Sequence, residues 1–436
     1  QELSALHVAA PCRQIEPGLS GRSARHDGMM FDTFPASTEV RKVGRTDDWT
    51  HALKKAFREA ERSVQRLRAS RQARVISKAI RSQSRSDLRV AIRIDGGIGD
   101  HVVAVRFLRD LLAEIGPLAL DIYSTKKGAA AWLFGSLDAS VRWFDEWMLW
   151  DRVYKAYPLS LYLTQFVEVP DDIADWRRLA DASPKLFEIS QNIVKFRPRI
   201  DACIIQHPDL DGQLGRIATS MGLDRRTFLQ GMANIRYGGD SLPIEVDGGA
   251  LRKFGLLDRP FVTIHNGFDP EFKKHSQEST KVYPRFDEVV RAIKNEFPEF
   301  LVVQIGTVTS KRIDAADIDL IGATNLKELA AIIARSVLNI DNESGIVHLA
   351  RCFDVPSCVV FGPTSLEYFS YPGNINVAPP VCGGCWWVNK TWMTQCAKGY
   401  AQPPCMALQP PEAVVEALRG HLRLASQRLA AGSNHG

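Results

Sequence analysis

Four groups of residues have types and spacings that could carry chemistry. The first is Asp95-Gly96-Gly97-Ile98-Gly99-Asp100, at the end of a short apolar run. Glycines at such a turn let a ligand approach the backbone and expose the N–H groups of a following helix. Gly97 and Gly99 are therefore candidate ligand contacts. Asp100 would sit at the carboxyl edge of a strand, where open α/β sheets bind ligands. A carboxylate there could take a proton from an attacking hydroxyl, and it equally suits a plain helix cap. The second group is Asp341-Asn342-Glu343-Ser344-Gly345-Ile346-Val347-His348-Leu349, which follows one apolar run and opens another. Small and polar residues at a helix N-terminus suit a diphosphate, which selects Glu343, Ser344, Gly345 and His348. Phe361-Gly362-Pro363-Thr364-Ser365 is a second strand-end turn, with Thr364 as its candidate contact.

The third group is Cys382-x2-Cys385-x10-Cys396-x8-Cys405. Four thiolates complete a tetrahedral shell, and the first pair has knuckle spacing. With no open coordination position implied, zinc or iron there would be structural. Four reduced or disulfide-paired cysteines would satisfy the same spacing. The fourth group is Thr280-Lys281-Val282-Tyr283-Pro284. Lys281, just before a helix start, could neutralise phosphate charge or hold a sugar hydroxyl.

These residues must be positioned by alternating strands and helices. Arg89 to Asp95, then a helix from about Asp100 to Ile115, then Leu118 to Tyr123 give a β-turn-α-β order, which indicates a doubly wound parallel sheet. Residues 143–200 are rich in aromatics and read as short strands (Tyr162 to Val169) mixed with helices (Asp171 to Leu179). They are expected to shape an acceptor side. A turn-rich stretch near residues 240–258 reads as an interdomain linker. A second α/β series follows, with strands at Phe261 to His265, Leu301 to Ile305, Ile318 to Ile321, Val337 to Ile340 and Cys358 to Phe361. Helices from Phe286 to Phe297 and from Asn325 to Ser336 separate them.

The chain has 436 residues with 45% apolar and 24% charged side chains, ordinary for a globular protein. No window approaches the length of a membrane span. The first residues show no apolar leader core, so the expected compartment is the cytoplasm, at most peripheral to an inner membrane. Residues 41–89 hold fifteen Lys/Arg against five Asp/Glu, a local balance of +10 within a net charge of +5. The rest is thus net acidic. Residues 1–45 lack an apolar period and read as a disordered tail. Residues 46–88 read as a basic amphipathic extension, with Trp49, Leu53, Phe57, Ala60, Val64 and Leu67 recurring at helical spacing. That extension suits either docking to an anionic membrane surface or acidic partner, or packing on its own protein or on another copy.

Taken together and in this order, the motifs resemble glycosyltransferase family 9, the ADP-heptose heptosyltransferases. The matching residues are Gly99-Asp100, Lys281 to Pro284, Asn342 to Leu349, Phe361 to Thr364, and Cys382 to Met406. The resemblance covers residues 89 to about 420. It implies a GT-B fold, two Rossmann-like domains (89–245 on the acceptor side, 246–436 on the donor side) facing a central cleft. It also implies inversion without a catalytic metal, and a nucleotide-sugar donor. Asp100 stands at the family's general-base position, and Lys281, Ser344, Gly345 and His348 at the donor diphosphate and sugar, with Thr364 nearby. Glu343 replaces an Asp and Tyr283 a Trp, which bears on donor identity. The segment 382–405 resembles that of heptosyltransferases acting on autotransporter proteins, where cysteines hold iron. The acceptor could then be a protein or a lipopolysaccharide core glycan. Homo-oligomerisation is also an open expectation.

Three other functions compete. A nucleotide-sugar epimerase of the same architecture would consume donor without an acceptor. A sugar-binding scaffold would not turn over. A nucleic-acid binder would explain only the basic segment, through salt-dependent affinity.

Overall fold

A computed structural model describes residues 47–84, 87–137, 139–144, 147–170, 172–267 and 279–433. The expected disordered tail, residues 1–45, lies outside the described residues. The chain divides into a unit Gln1–Ala60 and a unit Glu61–Gly436. In the first, the described residues form the opening turns of a helix, Asp47–Arg81.

Two sheets organise the second unit. The first sheet contains β1 (Arg89–Ile94), β2 (Ala119–Tyr123), β3 (Ser140–Phe144), β4 (Leu159–Leu163) and β5 (Val167–Glu168), in spatial order β3-β2-β1-β4-β5. Its strands are parallel except for β5, which turns back antiparallel on β4. The second sheet contains β6 (Phe261–His265), β7 (Leu301–Gly306), β8 (Ile318–Ile321), β9 (Asn339–Asn342), β10 (Ser357–Val360) and β11 (Ile375–Val377). It is wholly parallel, in order β11-β10-β9-β6-β7-β8. Central strands such as β6 and β10 are buried at every position, as parallel strands covered on both faces must be. The two Rossmann-like α/β domains of a GT-B architecture are thus present.

The helix Ile98–Ile115 joins them. It is buried on almost every side, from Gly99 and His101 through Leu112, the pattern of a helix enclosed by protein. Its side chains share a core with β1, β2 and β4 and with Ile346, Leu349 and Ala350 of the helix Gly345–Cys352. Two charged residues inside it are satisfied across the structure. Arg106 donates to the Asp240 carbonyl at 2.7 Å and the Tyr371 hydroxyl at 2.7 Å, and Gln230 donates to Asp110 at 2.8 Å.

Some sequence expectations shift for local reasons. The expected strand Tyr162 to Val169 is two strands, because the chain reverses around Gln165, where the Thr164 N–H bonds the Phe166 carbonyl at 2.9 Å. The helix expected from Asp171 starts at Trp176, where Asp175 caps it through the Arg178 N–H at 3.0 Å. On the helix Asp47–Arg81, Phe57, Val64 and Leu67 of the expected apolar stripe are exposed. Its buried stripe is instead Ala69, Ala73, Ile76 and Ile80, the last three packed in one cluster with Leu149, Trp150, Val153 and Tyr157.

Candidate active site

The turn after β1 sends the chain into the helix Ile98–Ile115. Gly96 has φ +107°, a conformation that disfavours any side chain. Gly97 caps the helix, and Asp100 at its third position accepts from the Gly97 N–H at 2.9 Å, the reciprocal half of a capping box. Asp100 therefore does serve as a cap, but its other oxygen is committed elsewhere. Oδ1 accepts from Arg225 Nη2 at 2.8 Å and from Gln165 Nε2 at 3.2 Å.

Arg225 is buried, its side chain 2% exposed. Its N–H donates to the Tyr368 carbonyl at 2.8 Å and its Nη2 also to the Thr164 carbonyl at 3.0 Å, while Nη1 has no partner. Burial alone would raise the Asp100 pKa. The Arg225 charge and hydrogen bond, with the Gly97 N–H, outweigh it and hold the carboxyl below its ordinary value. Asp100 is thus a carboxylate at neutral pH.

From the second domain, the helix Gly345–Cys352 opens directly against this turn. A Cβ on Gly99 would lie 2.7 Å from His348 Cδ2 and 3.2 Å from the Gly345 Cα, and one on Gly345 would lie 3.0 Å from the Gly99 nitrogen. Only glycine at both positions lets the two helix starts approach so closely. Ser344 caps the second helix through the Ile346 N–H at 3.1 Å and donates to Asp341 Oδ2 at 2.6 Å. Asp341 also bonds His265 Nδ1 at 2.8 Å, and its burial raises its pKa. His348 is 5% exposed and bonds the Tyr371 hydroxyl through Nδ1 at 2.6 Å. Burial, reinforced by Arg106 and Arg225, pushes it down to about 3, so it is neutral at physiological pH. Its Nε2 lies 4.0 Å from Glu343 Oε1, and Glu343 Oε2 pairs with Lys281 Nζ at 2.6 Å.

Gly97, Gly99, Asp100, Lys281, Glu343, Ser344, Gly345 and His348 thus form one continuous neighbourhood between the two sheets. Thr364 is buried just past β10 with its hydroxyl unpartnered. Arg225 and His265 were not picked out from the sequence. Arg225 sits in Leu223-Asp224-Arg225-Arg226, where nothing local distinguishes it from a surface arginine. His265 closes a strand ahead of Asn266-Gly267, a strand-end signal that could have found it.

The cysteine segment braces this neighbourhood. Cys382, Cys385, Cys396 and Cys405 line one cavity of about 50 Å³, together with Thr280 and Trp392. Burial, then the neighbouring thiols, pushes Cys405 up to about 12, and burial followed by Cys396 raises Cys385. The donor set is that of a tetrathiolate site, yet among the described residues no three His, Cys, Asp or Glu are placed as a closed metal shell. The Thr280 hydroxyl donates to the Trp392 carbonyl at 2.7 Å, and its N–H donates to the Met393 carbonyl at 2.9 Å. The segment therefore anchors the loop that carries Lys281.

Residues 270–379 match the model of Glycosyltransferase family 9 (heptosyltransferase). A 90-residue stretch is 31% identical to lipooligosaccharide heptosyltransferase 2 of Haemophilus influenzae, covering 21% of each chain. The match thus spans about a fifth of that relative. Among solved structures, the E. coli ADP-heptose lps heptosyltransferase II aligns at 13% identity over 78% of this chain and all of its own, with TM-score 0.42. The iron-containing dodecameric glycosyltransferase TibC of enterotoxigenic E. coli aligns at 14% identity over 78% of this chain and 77% of its own, with TM-score 0.46. No helix among the described residues is long and apolar enough to cross a membrane.

Proposed function

We propose that this chain, whose residues 270–379 are those of a family 9 glycosyltransferase, transfers a sugar with inversion from a nucleotide diphosphate donor of the ADP-heptose kind. The acceptor is a lipopolysaccharide core glycan or a protein. One observation carries the reading. An ionised carboxylate, Asp100, and the helix start that bears Glu343, Ser344, Gly345 and His348 meet across two Rossmann-like domains.

The acceptor hydroxyl attacks the anomeric carbon from the face opposite the diphosphate. A C–O bond forms, the bond to the diphosphate oxygen breaks, and the diphosphate leaves with its electron pair. Asp100 takes the hydroxyl proton. Arg225 and Gln165 fix the carboxylate's direction, so no reorganisation is needed at the moment of reaction. Lys281, held beside Glu343 at 2.6 Å, and the polar helix start at 343–346 receive the charge that develops on the leaving group. Neutral His348 presents Nε2 toward the donor sugar without adding a competing charge. No step requires a metal.

The four cysteines would hold one structural iron or zinc ion as thiolates, and it would stiffen the loop that carries Lys281. We place the protein in the cytoplasm and expect it to form a homo-oligomer, as the dodecameric TibC does. The test is incubation with ADP-heptose and other nucleotide sugars, with and without candidate acceptors, while nucleoside diphosphate release is followed. Acceptor-dependent release supports transfer. Equal donor consumption without any acceptor would assign the site to an epimerase-like reaction instead.

A further inference from the structure

We propose that the solvent face of residues 62–81, the part of the helix Asp47–Arg81 within the second unit, is a docking surface for an anionic lipid bilayer, independent of the transfer chemistry. From Arg62 to Arg81 the sequence contains seven Lys/Arg and no Asp or Glu. This stretch attaches to its own protein through a narrow stripe of small and aliphatic side chains, Ala69, Ala73, Ile76 and Ile80. The opposite side is not purely polar. Val64, Leu67 and Val75 stand 47%, 65% and 69% exposed. At 100° per residue these three fall within an arc of about 80°, on the side away from the buried stripe. Arg71 and Lys78 lie inside the same arc, with Arg68 on one border and Arg74 and Arg81 on the other.

Aliphatic tips set among long basic side chains are the composition of a helix that lies in a bilayer interface. The apolar tips enter the acyl boundary, and the cationic heads reach the phosphates along their own methylene stems. A place for a phosphate headgroup exists beside this arc. An open groove of about 750 Å³ runs between this helix and the helix Trp147–Val153, lined by Arg74, Lys78, Arg81 and Arg152 with Ser77 and Ser82. Guanidinium and ammonium groups lining one groove suit the oxygens of a phosphodiester. A nucleic acid would use the charge but gain nothing from Val64, Leu67 and Val75, which offer no aromatic face for stacking. A bilayer uses both.

The experiment is flotation of the full chain with vesicles of phosphatidylcholine alone and of phosphatidylcholine enriched in phosphatidylglycerol. The wild type should float only with the anionic vesicles. Each basic residue near such a surface is worth about fivefold in partitioning, so Arg74→Gln with Lys78→Gln should weaken binding roughly 25-fold. Leu67→Gln with Val75→Gln should abolish the fraction that resists added salt. Both variants should melt as the wild type does, since all four residues are exposed. Absence of binding to anionic vesicles, or equal binding to neutral ones, overturns the proposal. Binding undiminished by the Leu67 and Val75 changes and competed away by heparin would assign the surface to a polyanion and overturn it too. A mass increase with concentration, lost in the same variants without any vesicle binding, would assign it to a second copy of the chain.

Discussion

Replacing Arg225 with Met removes the partner that keeps Asp100 ionised while preserving the length of the buried side chain. The pair is 2.8 Å apart, with Arg225 2% and Asp100 26% exposed. Removing one member of a buried pair costs about 3–5 kcal/mol, and the partial exposure of Asp100 places this case near the lower end, about 3 kcal/mol. The pH dependence follows from the sign of the shift. The Asp100 pKa is depressed in the folded protein, so the pair contributes stability above the unfolded carboxyl value and loses it as pH falls through the folded one. Without Arg225, burial dominates and raises the Asp100 pKa, so the carboxyl takes up a proton at higher pH. Urea unfolding near neutral pH should show the loss in stability. The rate profile of nucleoside diphosphate release should show its acid limb displaced upward. Arg225→Lys should restore much of the limb but less of the stability, because an ammonium lacks the planar guanidinium geometry through which Nη2 bonds both Asp100 and the Thr164 carbonyl. An acid limb that stays in place in Arg225→Met would refute the coupling.

Three further outcomes are expected. Lys281→Ala should raise the donor KM and leave Glu343 buried without its partner, at a cost of about 3 kcal/mol in urea unfolding; an unchanged KM would remove Lys281 from the donor site. Gly99→Ala should cost about 1–3 kcal/mol, because the new methyl meets His348 at 2.7 Å; wild-type stability would mean the helix starts are not in contact. Cys382→Ser should lower bound iron or zinc per chain and the melting temperature together, and a metal-free wild type with the same melting temperature as the variant would rule out the thiolate site.

Much of the fold was legible because strands and helices with strong periodicity announce themselves. The strands at 261–265 and 318–321 fall where the sequence placed them, and Asn325 caps its helix with the Glu328 side chain closing the box. The aromatic stretch 143–200 was harder, since one short reversal at Gln165 splits an apparently continuous strand. The basic helix was misleading in a specific way. Phe57, Val64 and Leu67 of its regular apolar row face solvent, and another stripe, Ala69, Ala73, Ile76 and Ile80, is buried instead. The candidate site was readable where glycines and acids sit at strand ends. Arg225 was not readable, because its importance arises only when a distant turn folds back onto Asp100.

In the proposed mechanism Asp100 receives the acceptor proton. Asp100→Asn keeps an oxygen for the Gly97 N–H and removes the base, together with the ion pair to Arg225, so donor binding is followed beside turnover. Acceptor-dependent nucleoside diphosphate release should fall by about 10²- to 10⁴-fold, while the upward shift in melting temperature on adding ADP-heptose persists. Turnover within a fewfold of wild type, with that shift unchanged, would contradict the account.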